Sequence, residues 1–480
     1  MTTPRLRRQP GPPSDRRRPH APPARRAAWR PPSWYAAWAV SLAAPAPLIV
    51  LLNTQLLAPT RDLILYDFGV TAYTWWLVSI ALSTRPTALD RRIGLPALYQ
   101  LHGVLGVFAL VLASAHVLNL FTMHPIIYWS GRVAWYLAIL GVAHAALLMS
   151  GWLVDRLPHA AAVKRRLERV LTHETSVWVH RLNFVMIGLV VLHMHVIPRV
   201  SAATGFVIAV DLYTLAALAV YLWGKLIAPA SPNRQGTVVA NTALNDTTRQ
   251  VVIAPTAGAP AYEPGDFYFV SFRTPGLPAQ YHPFSVTFAP DWARATAPGT
   301  DPASTTFTAP SGDGSAPPDE RPTFAAEAPR NHPKDAGPAP VVLTIRAAGD
   351  FTSRLSQVPV GAAVTLQGPF GRFNRVIADD ERHLVLLGMG AGIAPLVGIA
   401  QAWAPSRPVT VLHAVSRPED LYYDDVLRTL ARHSPALSYH HRMHRYRRGD
   451  RQGRLRRPEF RSSLGGSLGS SFGGSFGPCP

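Results

Sequence analysis

The sequence is poor in charge and almost free of cysteine. Only 16% of its 480 residues are charged, whereas an average soluble domain has roughly 25%. Its single cysteine, Cys479, has no partner within the chain, which excludes a scaffold held by internal disulfides. Acidic residues are scarce as well, with 28 Asp and Glu against 47 Lys and Arg. The length excludes a single small domain.

The basic excess is confined to two segments. Residues 1–30 contain nine Arg and one Asp, and residues 428–461 contain eleven Arg and two acidic residues. The region between them is nearly neutral, so the chain lacks the broad basic face that binds nucleic acid, and we predict no nucleic-acid partner. The Arg- and Pro-rich residues 1–33 are interpreted as a disordered tail.

Six long apolar runs follow the tail. Each is close to the roughly 20 residues that cross a bilayer, so the series predicts a six-helix transmembrane bundle over residues 34–227. The first run is too long for the core of a signal peptide and is interpreted as a membrane anchor. The predicted spans are residues 34–58, 63–84, 97–121, 132–153, 178–197 and 206–227.

Basic residues in the flanks of the spans predict their orientation. Arg and Lys cluster in the N-terminal tail and in the loops after the second and fourth spans, while the opposite loops carry only Arg61 and Arg199. The positive-inside rule then places both termini in the cytoplasm. We expect an integral protein of a bacterial-type plasma membrane, in contact with lipid.

Histidines within the spans are candidate functional residues, because ionisable side chains are costly in a bilayer. Span three contains His102 and His116, and span five contains His180, His193 and His195. Fourteen residues leave His102 and His116 about 40° apart on an ideal helix. Both can therefore face histidines of span five at two depths, an arrangement that suits two six-coordinate b-type haems.

The outer partner on span five is ambiguous. On a straight helix His193 lies about 140° and His195 about 60° from His180, which favours His195. A bend, for example near Gly188, would allow His193 instead. The alternative for all of them is a hydrogen bond between helices without a metal. That structural interpretation is also the one we give to His124, His144 and His173.

The pattern of two histidines 14 apart on span three and two 13 apart on span five resembles the transmembrane domain of the ferric reductase/NADPH oxidase family. The resemblance implies two stacked haems. It makes His102 and His180 the axial ligands on the cytoplasmic side, and His116 and His193 the ligands on the outer side. It thereby selects His193, against the straight-helix estimate.

Residues 228–372 are predicted to form an antiparallel β-barrel domain, preceded by a linker over 228–236. Short β-rich runs are punctuated there by Gly and Pro. Residues 290–340 are rich in Pro, Ala, Thr and Ser without an apolar period, so we expect a disordered insert. The predicted strands are Gly236–Val239, Gln250–Ile253, Phe267–Phe272, Ser285–Phe288, Val341–Arg346 and Ala363–Gln367.

Three motifs in this region resemble ferredoxin reductase-like proteins and imply FAD. Tyr281–Thr287 resembles the flavin-binding strand, Leu343–Leu355 the passage beneath the FAD pyrophosphate, and Gly368–Gly371 the family's Gly-Pro-x-Gly turn. Aromatic faces and a Ser hydroxyl suit the flavin ring, and hydroxyls and an Arg suit the pyrophosphate. The implied FAD-binding residues are His282, Pro283, Phe284, Ser285, Arg346, Thr352 and Ser353.

A buried strand, His383–Leu387, then runs into the Gly-rich segment Gly388–Pro395. Such glycines let the backbone approach a pyrophosphate at a helix N-terminus. The segment resembles the nicotinamide-binding loop of the ferredoxin reductase family and implies NAD(P)H as electron donor. After the strand Val409–Val415, an Arg could pair with a 2′-phosphate, which favours NADPH, or be an ordinary surface residue. The implied nucleotide-binding residues are Gly388, Gly390, Gly392, Pro395 and Arg417.

The family's last strand, with a Cys-Gly-Pro motif beside the nicotinamide, has no counterpart after Tyr439. We predict a truncated α/β nucleotide-binding domain over residues 373–457 and a low-complexity tail over 458–480. A truncated or frame-altered C-terminus from about residue 440 is our hypothesis for this departure. No acid–base or nucleophilic constellation is visible, and no catalytic side chain is predicted.

The sequence therefore predicts a multi-domain transmembrane oxidoreductase. Electrons would pass from cytoplasmic NAD(P)H through FAD and two b-type haems to an acceptor on the outer face. Ferric iron, oxygen, a quinone and a partner protein are all compatible acceptors, and protein partners are not indicated. The alternative is a membrane protein that binds haem and flavin without turnover, because its nicotinamide-site strand is missing.

Overall fold

The computed structural model describes residues 32–56, 62–167, 173–295 and 337–443. The basic tail up to residue 31 and most of the predicted insert, residues 296–336, lie outside the described residues. The same holds for residues 444–480, which include the predicted low-complexity tail, Cys479 and most of the segment for which a frame change was hypothesised.

The N-terminal half confirms six helical segments long and apolar enough to cross a membrane. They occur in the predicted order, and their lengths of 20 to 27 residues suit a bilayer of about 30 Å. The segments are Pro32–Gln55, Leu63–Leu82, Leu95–Asn119, Pro125–Met149, Thr175–Val196 and Thr204–Ala230.

Short interruptions divide several of these segments, and short helices connect them. The first segment breaks at Pro45, and the fourth and sixth pass into π-helical turns at Ala145–Met149 and Trp223–Ile227. The helices are α1 (Pro32–Ala43), α2 (Ala46–Gln55), α3 (Leu63–Leu82), α4 (Thr87–Ile93), α5 (Leu95–Asn119), α6 (Pro125–His144), α7 (Gly151–Arg156), α8 (Pro158–Leu167), α9 (His173–Arg181), α10 (Asn183–Val196), α11 (Pro198–Ser201), α12 (Thr204–Leu222) and α13 (Ala228–Ala230).

Two boundaries differ from the sequence-based expectation because of proline. Helix α6 begins at Pro125, seven residues before the predicted start of the fourth span. Proline favours the first turn of a helix, where its missing N–H has no partner to lose. Residues 228–236 are also not a simple linker, since α13 and a 3-10 turn at Pro232–Arg234 lead directly into the first strand.

The first sheet of the C-terminal half has six antiparallel strands in the order β4-β3-β6-β1-β2-β5. A strand is present near each of the six predicted positions, but the fourth covers His282–Ser285 and shares only Ser285 with the predicted strand Ser285–Phe288. Apolar side chains of alternate positions, such as Val251, Val270 and Leu343, are fully buried in its core. The strands are β1 (Gln235–Ala243), β2 (Thr248–Pro255), β3 (Phe267–Arg273), β4 (His282–Ser285), β5 (Val341–Arg346) and β6 (Ala363–Phe370).

The prediction of a β-barrel is wrong, because the sheet does not close. Where its two edge strands approach each other, the described residues form an isolated bridge between Val286 and Leu343, and the N–H of Thr287 donates to the Val342 carbonyl (2.9 Å). Closure requires a continuous hydrogen-bonded ladder, and β4 is only four residues long. Helix α14 (Pro290–Ala295) follows, so the first residues of the predicted insert are helical.

The second sheet is parallel, with the order β7-β8-β9 among the described residues. The third strand was missed by the sequence analysis, which ended the recognisable pattern at Tyr439. Most of its side chains are exposed and polar, so it carries no apolar signal. The elements are α15 (Asp350–Ser353), β7 (Leu384–Met389), α16 (Ala394–Trp403), β8 (Val409–Val415), α17 (Asp424–His433) and β9 (Leu437–Met443).

Within the described part of the chain, one face of β7 is covered and the other is not. Helices α16 and α17 bury Leu384 and Leu386 of β7 in a common core. The alternate residues of the same strand, Val385, Leu387 and Met389, are 63%, 65% and 74% exposed. Parallel sheets are normally covered on both faces. We call these three residues the bare face of β7.

The bundle packs directly against the six-stranded sheet. The ends of α3 and α5 that are joined by α4 share an apolar core with Phe269 of β3 and Phe370 of β6. The buried members from the bundle are Leu82, Ile93, Leu95, Leu98, Leu101 and Leu105. The contact lies at the end of α5 that carries His102.

Candidate functional site

Two pairs of histidines face each other inside the bundle. The ring centroids of His102 and His180 are 6.2 Å apart, and those of His116 and His193 are also 6.2 Å apart. Two metal–imidazole bonds of about 2 Å each would place the two coordinating nitrogens about 4 Å apart, and the two ring radii extend the distance between the ring centroids to about 6 Å. Both pairs therefore have the spacing of two histidines that share one metal ion between them.

Hydrogen bonds of Nδ1 fix three of these four rings. Three Nδ1 atoms lie against backbone carbonyl oxygens: His102 on Ser79 (2.9 Å), His116 on Leu65 (2.7 Å) and His193 on Ile127 (3.0 Å). Because a carbonyl only accepts, each Nδ1 carries the hydrogen and Nε2 keeps its lone pair. Metal-ligating histidines usually donate their other N–H in this way.

Glycines beside the rings allow the helices to approach closely. A Cβ at Gly69 of α3 would lie 2.9 Å from Nδ1 of His116, and one at Gly131 of α6 would lie 3.0 Å from Cε1 of His193. At Gly103 and Gly106 of α5, by contrast, a Cβ would meet nothing within 4 Å. The helix that carries His102 thus borders open space. The donor set, its tautomers and this space fit a haem held by two histidines at each depth.

The structure brings His193, and not His195, opposite His116. The Nδ1 of His195 lies 2.9 Å from the Val191 carbonyl, and its Nε2 lies 3.4 Å from Asp211. Helix α9 ends before Leu182 and α10 begins after it, so the fifth segment is not one straight helix. The straight-helix estimate assumed an unbroken rotation from His180, and the break occurs at Leu182 rather than at Gly188.

The flavin-type motif on β4 lies next to the segment that follows β5. The ring of His282 stacks on Phe351 of α15, with centroids 3.9 Å apart and planes 24° apart. Pro283 is exposed, while Phe284 and Ser285 are half-buried. Phe351 was not singled out from the sequence, although it lies within the quoted motif. Its contact joins two of the three FAD-type motifs in space.

The hydroxyls proposed for the pyrophosphate shape the turn after β5. Thr352 Oγ1 accepts from the backbone N–H groups of Ala348 (2.9 Å) and Gly349 (3.1 Å). Ser353 donates to the Gly349 carbonyl (2.8 Å). Arg346 ends β5 with an exposed side chain. The turn is therefore held by Thr352 and Ser353, and Arg346 is the cation beside it.

The Gly-rich segment forms the predicted turn from strand to helix. A Cβ at Gly388 would lie 2.9 Å from the Cα of Ile393, so no side chain fits there. Gly390 has φ +51°, which favours glycine, and a Cβ at Gly390 or Gly392 would meet nothing within 4 Å. Pro395 lies in the first turn of α16. The turn thus leaves room for a ligand to approach its backbone.

His413 supports this turn and was missed by the sequence analysis. It pairs with Gly388 in the register of β7 and β8, is 1% exposed, and its Nε2 lies 3.1 Å from the Gly390 carbonyl. Burial lowers the pKa of His413. A single histidine within the otherwise apolar strand Val409–Val415 was the available signal.

Arg417 is engaged by carboxylates between the two sheets. Its Nε and Nη2 donate to Asp420 at 3.1 and 3.0 Å, and its Nη1 lies 3.2 Å from Glu419 and 3.5 Å from Asp246. Hydrogen bonding to Arg417 lowers the pKa of Asp420. The Arg417 side chain is therefore not a lone cation at the end of β8. Of the two interpretations given above, this arrangement resembles the ordinary surface residue rather than a partner for a 2′-phosphate.

Tyr423 ties the parallel sheet to the antiparallel one. Its hydroxyl lies 2.6 Å from Thr344 Oγ1 and accepts from Gln250 Nε2 (3.0 Å). Thr344 in turn lies 2.8 Å from Thr287, two residues beyond β4. Burial raises the pKa of Tyr423 to about 12. The two sheets thus share one apolar core, which contains Val342 of β5 and Ile393 of the Gly-rich segment.

No family model matches the chain. One component of the Na(+)-translocating NADH-quinone reductase of Klebsiella pneumoniae is 26% identical over 136 residues, which are 25% of this chain and 32% of that protein. The reductase component of an aromatic O-demethylase of Amycolatopsis is 43% identical over 67 residues, 13% of this chain and 20% of that protein. The chain thus spans about a third or less of the curated relatives it matches.

Among solved structures, a flavohemoglobin of Malassezia yamatoensis with bound FAD and haem aligns with 14% identity and a TM-score of 0.34. The alignment covers 88% of this chain and 87% of the flavohemoglobin. The curated relatives support an FAD- and nicotinamide-binding domain of the reductase type, which in this chain is joined to six apolar helices.

Proposed function

We propose that this protein is a transmembrane oxidoreductase of the ferric reductase/NADPH oxidase type. It transfers electrons from NAD(P)H in the cytoplasm, through FAD and two b-type haems, to an acceptor on the outer face such as ferric iron or oxygen. The observation that carries the proposal is the pair of equal 6.2 Å histidine spacings in a chain with a reductase-type domain.

The bundle residues hold and orient the haems. His102 with His180, and His116 with His193, supply Nε2 atoms, and in three of the four rings the hydrogen bond of Nδ1 to a carbonyl fixes their direction. A ligand ring that cannot rotate keeps the metal in one coordination geometry. At Gly103 and Gly106, where a Cβ would meet nothing within 4 Å, α5 presents no side chain that would obstruct a macrocycle.

The C-terminal half binds and orients the two nucleotides. Ser285 offers a hydroxyl to the flavin ring, and Arg346 offers a cation to its pyrophosphate. The Gly-rich turn, supported by His413, offers backbone N–H groups to NAD(P)H. When bound, FAD takes up the two electrons of a hydride and releases them one at a time to haem. The protein itself then has to hold FAD and NAD(P)H in the correct positions relative to each other and to the haems.

A difference spectrum of membranes that contain the protein tests the proposal. Addition of NADH or NADPH is expected to produce the reduced bands of a b-type haem. Membranes without any haem spectrum would contradict the proposal. Membranes whose haem is reduced by dithionite but not by either nucleotide would contradict turnover and favour the second candidate.

That second candidate is a haem- and flavin-binding membrane protein without turnover. The bare face of β7 favours it, since 63–74% exposure of three apolar side chains is unusual for a parallel sheet. The bare face lies on the strand that leads into the Gly-rich turn. A nicotinamide site that lacks cover on this side would bind the nucleotide weakly, and titration of the flavin with NADH would then show no bleaching.

A further inference from the structure

A short helix between two spans makes directional contacts with the flavin-type sheet. Asp90 of α4 is completely buried. Its Oδ1 accepts from the backbone N–H of Leu95, at the start of α5 (2.7 Å), and its Oδ2 accepts from the N–H of Gly371, just after β6 (2.8 Å). One carboxylate therefore caps a transmembrane helix and holds the Gly368–Gly371 turn of the sheet.

The next residue makes a second contact of the same kind. Arg91 donates two parallel hydrogen bonds to Asp266, at 2.8 and 2.7 Å. The two side chains are 18% and 2% exposed. Asp266 also accepts from the N–H of Glu263 (2.7 Å), which fixes its carboxylate. Bidentate pairs of this kind fix orientation as well as distance. We call Asp90, Arg91, Asp266 and Gly371 the docking clamp.

The clamp borders the route from the flavin-type strand to the inner histidine pair. Phe269 pairs with Pro283 of β4 in the register of β3 and β4. The same Phe269 belongs to the apolar core that contains Leu101, the neighbour of His102. The guanidinium of Arg85 lies 3.9 Å from the centroid of the Phe269 ring. Strand β4 is thus connected to α5 through its neighbour β3 and the apolar side chains of this core.

We propose that the docking clamp sets the position of the flavin site relative to the His102–His180 haem, and thereby the rate of electron transfer between them. This inference rests on the proposed function. The apolar core supplies adhesion, which is not directional. The clamp supplies direction, because both of its carboxylates have fixed partners on each side of the contact.

Loss of one partner leaves a buried charge without its counter-ion. The sheet then shifts or rotates on the apolar core until water reaches that charge. Misplacement of reacting groups by about 1 Å can cost up to roughly a hundredfold in rate. Arg91, Asp90 and Asp266 are therefore positioning residues, which act through the placement of β4.

The first test uses anaerobic stopped-flow spectroscopy of the full chain in lipid nanodiscs. Arg91→Ala should keep its haem content and its rate of flavin reduction by NADH, while the following haem reduction slows by about tenfold or more. Arg92→Ala is the matched control, since Arg92 is exposed, and should behave as the original chain. The double variant R91D/D266R, which reverses the pair, should recover part of the lost rate.

The second test needs no cofactor. Hydrogen exchange of the Gly371 amide should accelerate by about tenfold in Asp90→Ala, because its acceptor is removed, and should not change in Arg92→Ala. Arg91→Lys, which keeps the charge but not the bidentate geometry, covers the case in which Arg91→Ala does not fold.

The outcomes separate the clamp from the proposed function. Equal haem reduction and equal Gly371 exchange in all variants would overturn the clamp and leave the proposed function intact. Haem that neither NADH nor NADPH reduces in the original chain would overturn the proposed function, and the rate-setting role of the clamp with it. Slower haem reduction in Arg91→Ala, without any change in its flavin reduction, would support both the clamp and the proposed function.

Discussion

The bundle and the C-terminal half build their candidate sites in opposite ways. In the bundle, side chains from two distant helices meet, and three of the four imidazoles are held by a carbonyl of another element. In the C-terminal half, the Gly-rich turn offers its own backbone, and side chains such as His413 only support it. A site of the first kind depends on single side chains. A site of the second kind depends on glycines, whose lack of a side chain leaves the backbone accessible.

The largest expected effect is the loss of a haem from the bundle. His116→Ala or His193→Ala should remove about one haem per chain, because one of the two histidines that would hold the haem at that depth is lost. His195→Ala is the control and should keep both haems, since its ring faces Asp211. Haem quantified per purified chain decides between them. Loss of a haem in His195→Ala with retention in His193→Ala would reverse our assignment.

The comparison predicts that an added methyl group breaks the backbone site. Gly388→Ala should destabilise the nucleotide lobe by about 1–3 kcal/mol, because the new Cβ is forced against Ile393. It should also weaken the binding of ADP-ribose. Gly392→Ala should weaken that binding while keeping the thermal unfolding midpoint, because its Cβ points into open space. Calorimetry measures the affinity for ADP-ribose, and thermal unfolding measures the midpoint. Equal unfolding midpoints in Gly388→Ala and Gly392→Ala would contradict the difference expected between the two glycines.

A smaller effect is expected at the contact between the two sheets. Tyr423→Phe leaves Thr344 and Gln250 without their hydroxyl partner, which should lower the free energy of unfolding by about 1–3 kcal/mol. Tyr439→Phe should have a smaller effect, because its partner Asp424 is only part-buried and keeps Arg428. Urea unfolding of both variants provides the comparison, and a larger loss in Tyr439→Phe would refute the proposed importance of the contact.

The smallest effect concerns acid stability. Arg417 lowers the pKa of Asp420 below its ordinary value of 3.8, so the folded state binds this proton less readily than the unfolded state. The pair therefore stabilises the fold above pH 3.8, and this contribution is lost as the pH falls below that value. As the pH falls below 3.8, the thermal unfolding midpoint should decrease less in Asp420→Asn than in the original chain. An unchanged pH profile would exclude the pair as a source of acid sensitivity.

The sequence predicts the parts of the fold that have a local pattern. Apolar length predicts the six spans, and alternation with Gly and Pro predicts the six strands. Helix geometry alone favoured His195 and only the resemblance selected His193, because the break at Leu182 is marked by no helix-breaking residue. Strand β9 has a mostly polar, exposed sequence, and the open sheet reflects the shortness of β4.

Contacts between distant segments could not be predicted from the sequence patterns, for a different reason. Arg91 and Asp266 are 175 residues apart, and each is an ordinary charged residue in its own segment. Their pairing depends on how the bundle and the sheet pack, which no periodicity records. The same holds for the stacking of His282 on Phe351, which depends on where the turn after β5 places α15.

The bare face of β7 bears on how this protein can be handled. It combines three exposed apolar side chains with a strand that has no neighbour on its far side among the described residues. Open strand edges beside apolar surface promote self-association in water. A soluble fragment made from the C-terminal half alone should therefore precipitate as its concentration rises, and a polar substitution such as Leu387→Lys should raise its solubility limit.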